Sequence, residues 1–190
     1  MKANLAKVSK LESSFLSCEK DLETILRKLF VESQPHSKEL TRLLVINTED
    51  CFNSSYDTLL EKYNLATLIK EGHVRRKPKI KFSEKEEIKS YIVVTFNNFK
   101  PNIFNPYYRD CTVNINVMCP LDYWDLPDYQ ERPLKIIGYI DGILNESKLS
   151  GIGTLQLTSC KLDILDSDFA GYSLMYNATH GIEDVLPIEE

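Results

Sequence analysis

The sequence predicts an α+β fold: a mostly antiparallel sheet packed against a long helix, with a helical N-terminal third. Three observations predict it. Apolar residues step by three and four between residues 11 and 30. From about residue 90 the chain turns β-branched, aromatic and alternating. One segment of 3.6-residue period, headed by Arg132 and Pro133, then separates two groups of strand-like segments. Helices and strands that segregate along a chain give an α+β fold rather than a parallel doubly wound one. The 190 residues amount to a single domain, read as a helical part (1–72), a sheet-plus-helix core (73–178) and an acidic tail (179–190). With 43% hydrophobic and 27% charged residues the composition is that of a globular protein. A domain of ~150 residues buries roughly 70% of its unfolded surface, so a core forms without covalent staples.

Each element has a local cause. Leu11, Phe15, Cys18, Leu22, Ile25 and Leu29 fall on one helical stripe, widened by Leu26 and Phe30. Ser9 and Glu12 fit a capping box at its start. Pro35 interrupts, Ser37 is placed to cap, and Leu40, Leu43 and Leu44 suit a short helix, although "LLVIN" fits a strand equally. Ser55 is placed to cap a helix through Leu59, Leu60 and Tyr63, and "LATLIKEG" reads as a last helical turn stopped by Gly72. "IKSYIVVTFNNF" has the composition of a buried strand. "CTVNINVMC" alternates Val113, Ile115 and Val117 against Asn114 and Asn116. The loop between them is too long for a tight hairpin. Pro133 suits the first turn of a helix over 133–147, with Leu134, Ile137, Ile140 and Leu144 as its apolar positions. Gly151 is expected to end that helix and Gly153 to swing the chain into the sheet. "TLQLTSCKLDIL" and "AGYSLMYNA" then read as two strands joined at "DSD".

Most catalytic chemistries lack their pattern here. Gly151-Ile152-Gly153 follows a helix and precedes a strand, the reverse of the order that aims helix N-terminal amides at a phosphate. A nucleotide-dependent enzyme or hydrolase built on that glycine pair is therefore a minor alternative. His36, His73 and His180 show none of the standard metal or base spacings, and no G-x-S-x-G or H-E-x-x-H occurs. Asp163, Asp166 and Asp168 lack the glycine and distal glutamate of a calcium loop. Cys18, Cys51, Cys111, Cys119 and Cys160 are odd in number and never spaced C-x-x-C, which argues for reduced thiols in a cytoplasm. No cofactor and no metal are expected. No apolar run reaches the ~18 residues of a membrane span, and the lysine-bearing N-terminus has no signal-peptide core.

Two clusters could carry recognition. Arg75, Arg76, Lys77, Lys79 and Lys81 are the one basic cluster in a chain of net charge −5. If extended, Arg75, Lys77, Lys79 and Lys81 share a face. They fit a charged edge strand or a patch for DNA or an acidic partner. The loops around the alternating strand carry Tyr107, Tyr108, Tyr123, Trp124 and Tyr129. Such rings anchor protein contacts or cap a core edge.

The stretch from about Tyr91 to Tyr176 resembles a known family through "CTVNINVMC", "RPLKIIGYIDGILN", "LSGIGTLQL" and "FAGYSLMY". It is similar to the tail-completion and tail-terminator proteins that join head to tail in tailed bacteriophages, closest to neck proteins of crAss-like phages. That family's helix pattern matches Arg132, Ile136, Ile137, Ile140, Asp141 and Leu144. The resemblance implies a non-enzymatic virion protein forming a hexameric or dodecameric ring around the DNA channel. It would be assembled in the bacterial host cytoplasm, with other neck, portal or tail proteins as partners and non-specific contact with genomic double-stranded DNA. Ring contacts of this kind are head to tail and close by rotation. The alternative is a nucleic-acid-binding module using residues 75–81.

Overall fold

The computed structural model describes residues 18–77, 88–104 and 109–180. The proposed capping box at Ser9 and Glu12, the tail beyond His180, and Lys79, Lys81, Tyr107 and Tyr108 lie outside these residues. The fold is α+β. Helix α1 (Cys18–Arg27) continues through a π-helical turn, Lys28–Glu32. Then follow α2 (His36–Val45), α3 (Asp57–Leu60) and α4 (Leu65–Lys70). The ambiguous "LLV" segment is thus helical. Its leucines Leu40, Leu43 and Leu44 bury one face, a spacing that only the helical period supplies.

Two caps differ from expectation. Ser37 lies inside α2 rather than ahead of it. Asn53, not Ser55, caps the 54–56 turn, its side chain accepting from the Ser55 amide. Asn64 does the same for α4 by accepting from Thr67. Gly72 stops α4 at φ +81°, where a β-carbon is disfavoured.

The main sheet has five strands in the order β1-β2-β3-β9-β8. These are β1 (Val74–Arg75), β2 (Tyr91–Pro101), β3 (Arg109–Pro120), β8 (Gln156–Ile164) and β9 (Phe169–His180). Only β1 and β2 pair in parallel. Two short hairpins flank it, β4 (Asp125–Leu126) with β5 (Gln130–Glu131), and β6 (Lys148–Leu149) with β7 (Gly153–Thr154). Helix α5 (Arg132–Leu144) begins directly after β5.

One face of the sheet builds the core. Ile92 and Val94, then Val113, Ile115 and Val117, then Leu174, Tyr176 and Ala178 meet the helices as one cluster. From α5 come Ile136, Ile140, Ile143 and Leu144. Leu134 instead points outward, 44% exposed, and Ile137 is half-buried. The buried stripe therefore sits about one residue step round the helix from the expected one. A helix apolar around most of its circumference offers two readings of its period, and packing selects the one flanked by Pro133. Each fully buried Leu or Ile contributes ~1.5–3 kcal/mol of transfer free energy against the entropy of ordering it. On the opposite face Tyr91, Val93, Met118 and Phe169 form a smaller cluster at one end. Gly171 faces Met118 there, and a β-carbon on it would lie 1.8 Å from the Val117 carbonyl oxygen.

The glycine corner is a hairpin, not a helix terminus. α5 ends at Leu144, where Asn145 turns extended and Glu146 takes φ +59°. Gly151, at φ +80°, is the third residue of the turn from Leu149 to Ile152 that joins β6 to β7, where a type II turn requires positive φ. The expected turn at "DSD" is present. Asp166 Oδ1 accepts from the amides of Asp168 and Phe169.

Two buried arginines brace the helical part, and Arg132 joins it to the rest. Arg132 is fully buried. Its Nε donates to the Tyr123 carbonyl at 2.6 Å. Nη1 donates to the carbonyls of Leu43 and Ile46, both at 2.8 Å, and Nη2 to Thr48 at 2.7 Å. These oxygens close the C-terminal end of α2, where carbonyls are left over and the helix dipole is negative. The cation is thus neutralised by oriented carbonyls. Arg42 holds the next loop. Its Nη1 donates to the carbonyls of Cys51 and Asn53, and its Nη2 pairs with Asp57 at 2.5 Å.

Replacing Arg132 by methionine keeps much of the volume but strands four carbonyls. We expect a loss of at least ~3 kcal/mol in denaturant unfolding. Arg132→Lys should fail to rescue it, because an ammonium cannot present the guanidinium fork. Hydrogen bonds from Arg42 and Lys38 hold the Asp57 carboxyl below its ordinary pKa. Its folded pKa is depressed, so its contribution is complete above the unfolded value of about 4 and fades as pH falls through the folded one. Acid titration of wild type and Asp57→Asn should show a shallower loss of stability below about pH 4 in the variant.

Candidate interaction surface

The described residues hold no cluster of three His, Cys, Asp or Glu close enough to bind a metal ion. Several of the polar groups are engaged in structure. His73 is buried, with Nδ1 2.9 Å from the Ser90 carbonyl and its ring edge-on to Tyr63. The Tyr176 hydroxyl donates to Asp141 Oδ1 at 3.1 Å, tying β9 to α5, and burial raises its pKa. The structure has no disulfide among the described residues. Burial pushes the thiols of Cys111 and Cys119 up to about 12 and that of Cys18 to about 11, so they stay protonated and unreactive at neutral pH.

The described members of the two recognition clusters have different surroundings. Arg75 is half-buried, its Nε donating to the Gly72 carbonyl at 2.9 Å and its guanidinium lying 4.0 Å above the Tyr91 ring. That stacking is a cation–π contact. Burial pushes the Tyr91 hydroxyl up to about 12, opposed by the Arg75 charge. The extended segment of β1 stops at Arg75, and Arg76 and Lys77 are exposed beyond it. Arg76 lines a groove between α1 and α4 that also holds Glu19 and Glu23.

Among the aromatic residues, Tyr123 and Trp124 are half-buried, and Trp124 packs on the core edge. Their backbone serves α5: Trp124 O accepts the Arg132 amide at 2.8 Å, just as Tyr123 O accepts its side chain. Tyr129 differs. It is fully exposed, and it follows Asp128 in a left-handed conformation, φ +59° after +61°. A bulky residue at positive φ is a genuine outlier, costing of order 1 kcal/mol.

Tyr129 borders a surface groove of about 580 Å³ running along the outer side of α5. Leu134, Gly138 and Gly142, spaced four apart, lie along it, with Tyr139, Lys135, Glu131 and His36 around them. The His36 and Tyr139 rings sit 5.6 Å apart. A β-carbon added at Gly138 or Gly142 would meet nothing within 4 Å. The fold itself therefore does not demand glycine at either position. The four-residue spacing of these glycines is visible in the sequence, as is Ile103-Phe104 in the aromatic loop. Neither marks a surface in the sequence, because exposure within an apolar segment is invisible before packing is known. Ile103 and Phe104 are 89% and 94% exposed.

A recognised protein family covers most of this architecture. The family model described as YomW matches residues 37–178, from α2 to the end of β9, and the chain belongs to that family. The family is associated with phage genomes, which makes this a phage-type protein. No curated protein matches the chain. The matched span includes Arg132 and its partners at the end of α2, whereas α1 precedes it.

Glycine in a helix interior costs ~0.8–1.0 kcal/mol relative to alanine. Gly138→Ala and Gly142→Ala should each stabilise the isolated chain by up to about 1 kcal/mol in chemical denaturation. A loss of stability at either position would show that the fold needs the glycine.

Proposed function

We propose that this protein is a non-enzymatic virion component that closes into a homo-oligomeric ring at the phage head–tail joint. There it would join the connector to the tail and surround the DNA channel. The observation that carries this reading is the distribution of exposed apolar side chains. Ile103, Phe104, Tyr129 and Leu134 project from loops and a helix face, while His73, Tyr176 and Asp141 are committed to internal bonds. A surface of that kind suits protein contact rather than chemistry. Membership in a phage-associated family agrees with it. So does the resemblance of the sheet and the Arg132-headed helix to tail-completion and tail-terminator proteins. The expected partners are other copies of the chain and portal, neck or tail proteins, with incidental contact to the genome passing through. Among the described residues no helix is long and apolar enough to cross a membrane.

Native mass spectrometry and negative-stain electron microscopy test the reading on the purified chain, alone and mixed with connector and tail-tube proteins of the same phage. Rings of one stoichiometry, alone or on the partner, are the expected result. A monomer that stays inert toward both partners would overturn it.

A further inference from the structure

The sheet ends in a long edge. Strand β8 is last in the order β1-β2-β3-β9-β8, and no strand of the described residues pairs with its outer side. At its start the Leu157 amide donates to Asn145 Oδ1 at 3.0 Å, and the register against β9 shifts between Leu157 and Ser159. At its end comes the turn held by Asp166. Between the two, the edge runs open from Ser159 to Leu165. Peptide groups along such a strand point alternately toward and away from the neighbouring strand. The Leu165 amide donates to the Phe169 carbonyl of β9 at 3.0 Å. The peptide groups of Asp163, Lys161 and Ser159 therefore face β9 as well, and those of Cys160, Leu162 and Ile164 face outward. The side chains of these three are also exposed, Leu162 at 56% and Ile164 at 74%. They lie on the core-bearing face, since Cys160 stands opposite Leu174, yet the described helices leave them uncovered.

We propose that β8 is a dimerisation strand: two copies pair their β8 edges antiparallel about a two-fold axis at Leu162, so that the sheet continues from one molecule into the other. Three observations select this occupant and this register. The run Cys160-Lys161-Leu162-Asp163-Ile164 is complementary to its own reverse. About Leu162, Lys161 meets the other copy's Asp163, Cys160 meets Ile164, and Leu162 meets itself. Outward peptide groups bond only with one another, so the axis can move only by whole residues. One residue either way puts Lys161 opposite Lys161 or Asp163 opposite Asp163, and like charges directly opposite are destabilising. The open run from Ser159 to Leu165 is itself centred on Leu162, so neither the irregularity at Leu157 nor the Asp166 turn falls inside the paired segment.

The other edge of the sheet is a poorer template. β1 already pairs with Ile92 and Val93 of β2. Further along, the register of β2 shifts between Asn97 and Lys100, Asn98 takes φ +53°, and Pro101 has no amide to donate. A lysine on an edge ordinarily discourages pairing. Here the other copy's Asp163 neutralises it, and each Asp163 is steadied on its own chain by the Ser173 hydroxyl. A contact that uses one surface twice joins two molecules and stops there. It is therefore independent of the head-to-tail ring contact.

Disulfide trapping reads the register directly. In a Cys160→Ser background, Leu162→Cys places two thiols on the axis, at the Cα spacing of about 5.5 Å of a hydrogen-bonded pair, which a disulfide spans. Ile164→Cys places its two thiols roughly 13 Å apart, although Ile164 is the more exposed residue. Under mild oxidation at high micromolar concentration, Leu162→Cys should give covalent dimers and Ile164→Cys few. Equal trapping at both positions, or none at Leu162, would overturn the proposal. Charge reversal gives a second readout, by sedimentation velocity. Lys161→Asp alone and Asp163→Lys alone should each pair at least about fivefold more weakly than wild type. An equal mixture of the two, or one chain carrying both changes, should recover. Lys161 is exposed, so Lys161→Asp serves alone should Asp163→Lys, which gives up the Ser173 bond, disturb the circular dichroism spectrum. Pairing unchanged in Lys161→Asp, or a wild type that never pairs, also overturns the β8 contact and leaves the ring reading as it stood.

Discussion

The Arg132 guanidinium is the constraint on which the rest of the structure depends. It enters the core as the first residue of α5 and closes the last turn of α2 through three carbonyls, while a fourth fixes the 121–124 turn. A buried cation of this kind is tolerated when oriented acceptors meet its donors. Its partners come from two distant parts of the chain, so satisfying it sets the position of the helical part against the helix that backs the sheet. Arg42, one residue before Leu43, repeats the device on the other side of the same loop. Residues 46–57 have little regular structure, yet they are pinned between two guanidinium groups.

What those clasps hold steady is a helix face and two loops. α5 presses Ile136, Ile140, Ile143 and Leu144 into the sheet and leaves Leu134, Gly138 and Gly142 to the outside. The same arginine that buries the start of α5 orders the backbone of Tyr123 and Trp124 that leads into the hairpin bearing Tyr129. In general a surface that binds protein works best on a scaffold that does not rearrange on binding, since ordering it at that moment costs affinity. The buried thiols and the committed His73 and Asp141 fit the same division, with polar chemistry spent on the interior and apolar groups facing out.

Much of the fold was legible in the sequence, for identifiable reasons. The alternation from Val113 to Val117 and the stripe through Ile25 and Leu29 are strong periodic signals, and they landed on a strand and a helix with the expected faces buried. Errors arose where local chemistry offered near-equal choices. Asn53 and Ser55 are both good caps, and only the Ser55 amide's position decides between them. α5 is apolar around most of its circumference, so periodicity alone could not say that Ile136 and Ile143 face inward rather than Leu134. Gly151 follows a helix and so reads as its end, while its φ of +80° serves a hairpin turn, seven residues after Leu144. The candidate surface was less legible still. Tyr123, Trp124 and Tyr129 look alike in the sequence, yet backbone bonds to Arg132 turn the first two inward and leave the third exposed. Arg75 reads as a free cation until Tyr91 is placed beneath it.

The central proposal is that this chain meets other copies of itself through its exposed apolar surfaces, around Ile103 and Phe104 and along the outer face of α5. Hydrogen exchange measured on wild type at low and at high protein concentration addresses it most directly, because it reads both surfaces in one unmodified sample. Amides near Ile103 and Phe104 and those of α5 from Leu134 to Gly142 should gain protection together as concentration rises, while the amides of β3 and β9 in the sheet centre stay unchanged. Protection gained at only one of the two surfaces, or at neither, would contradict the account.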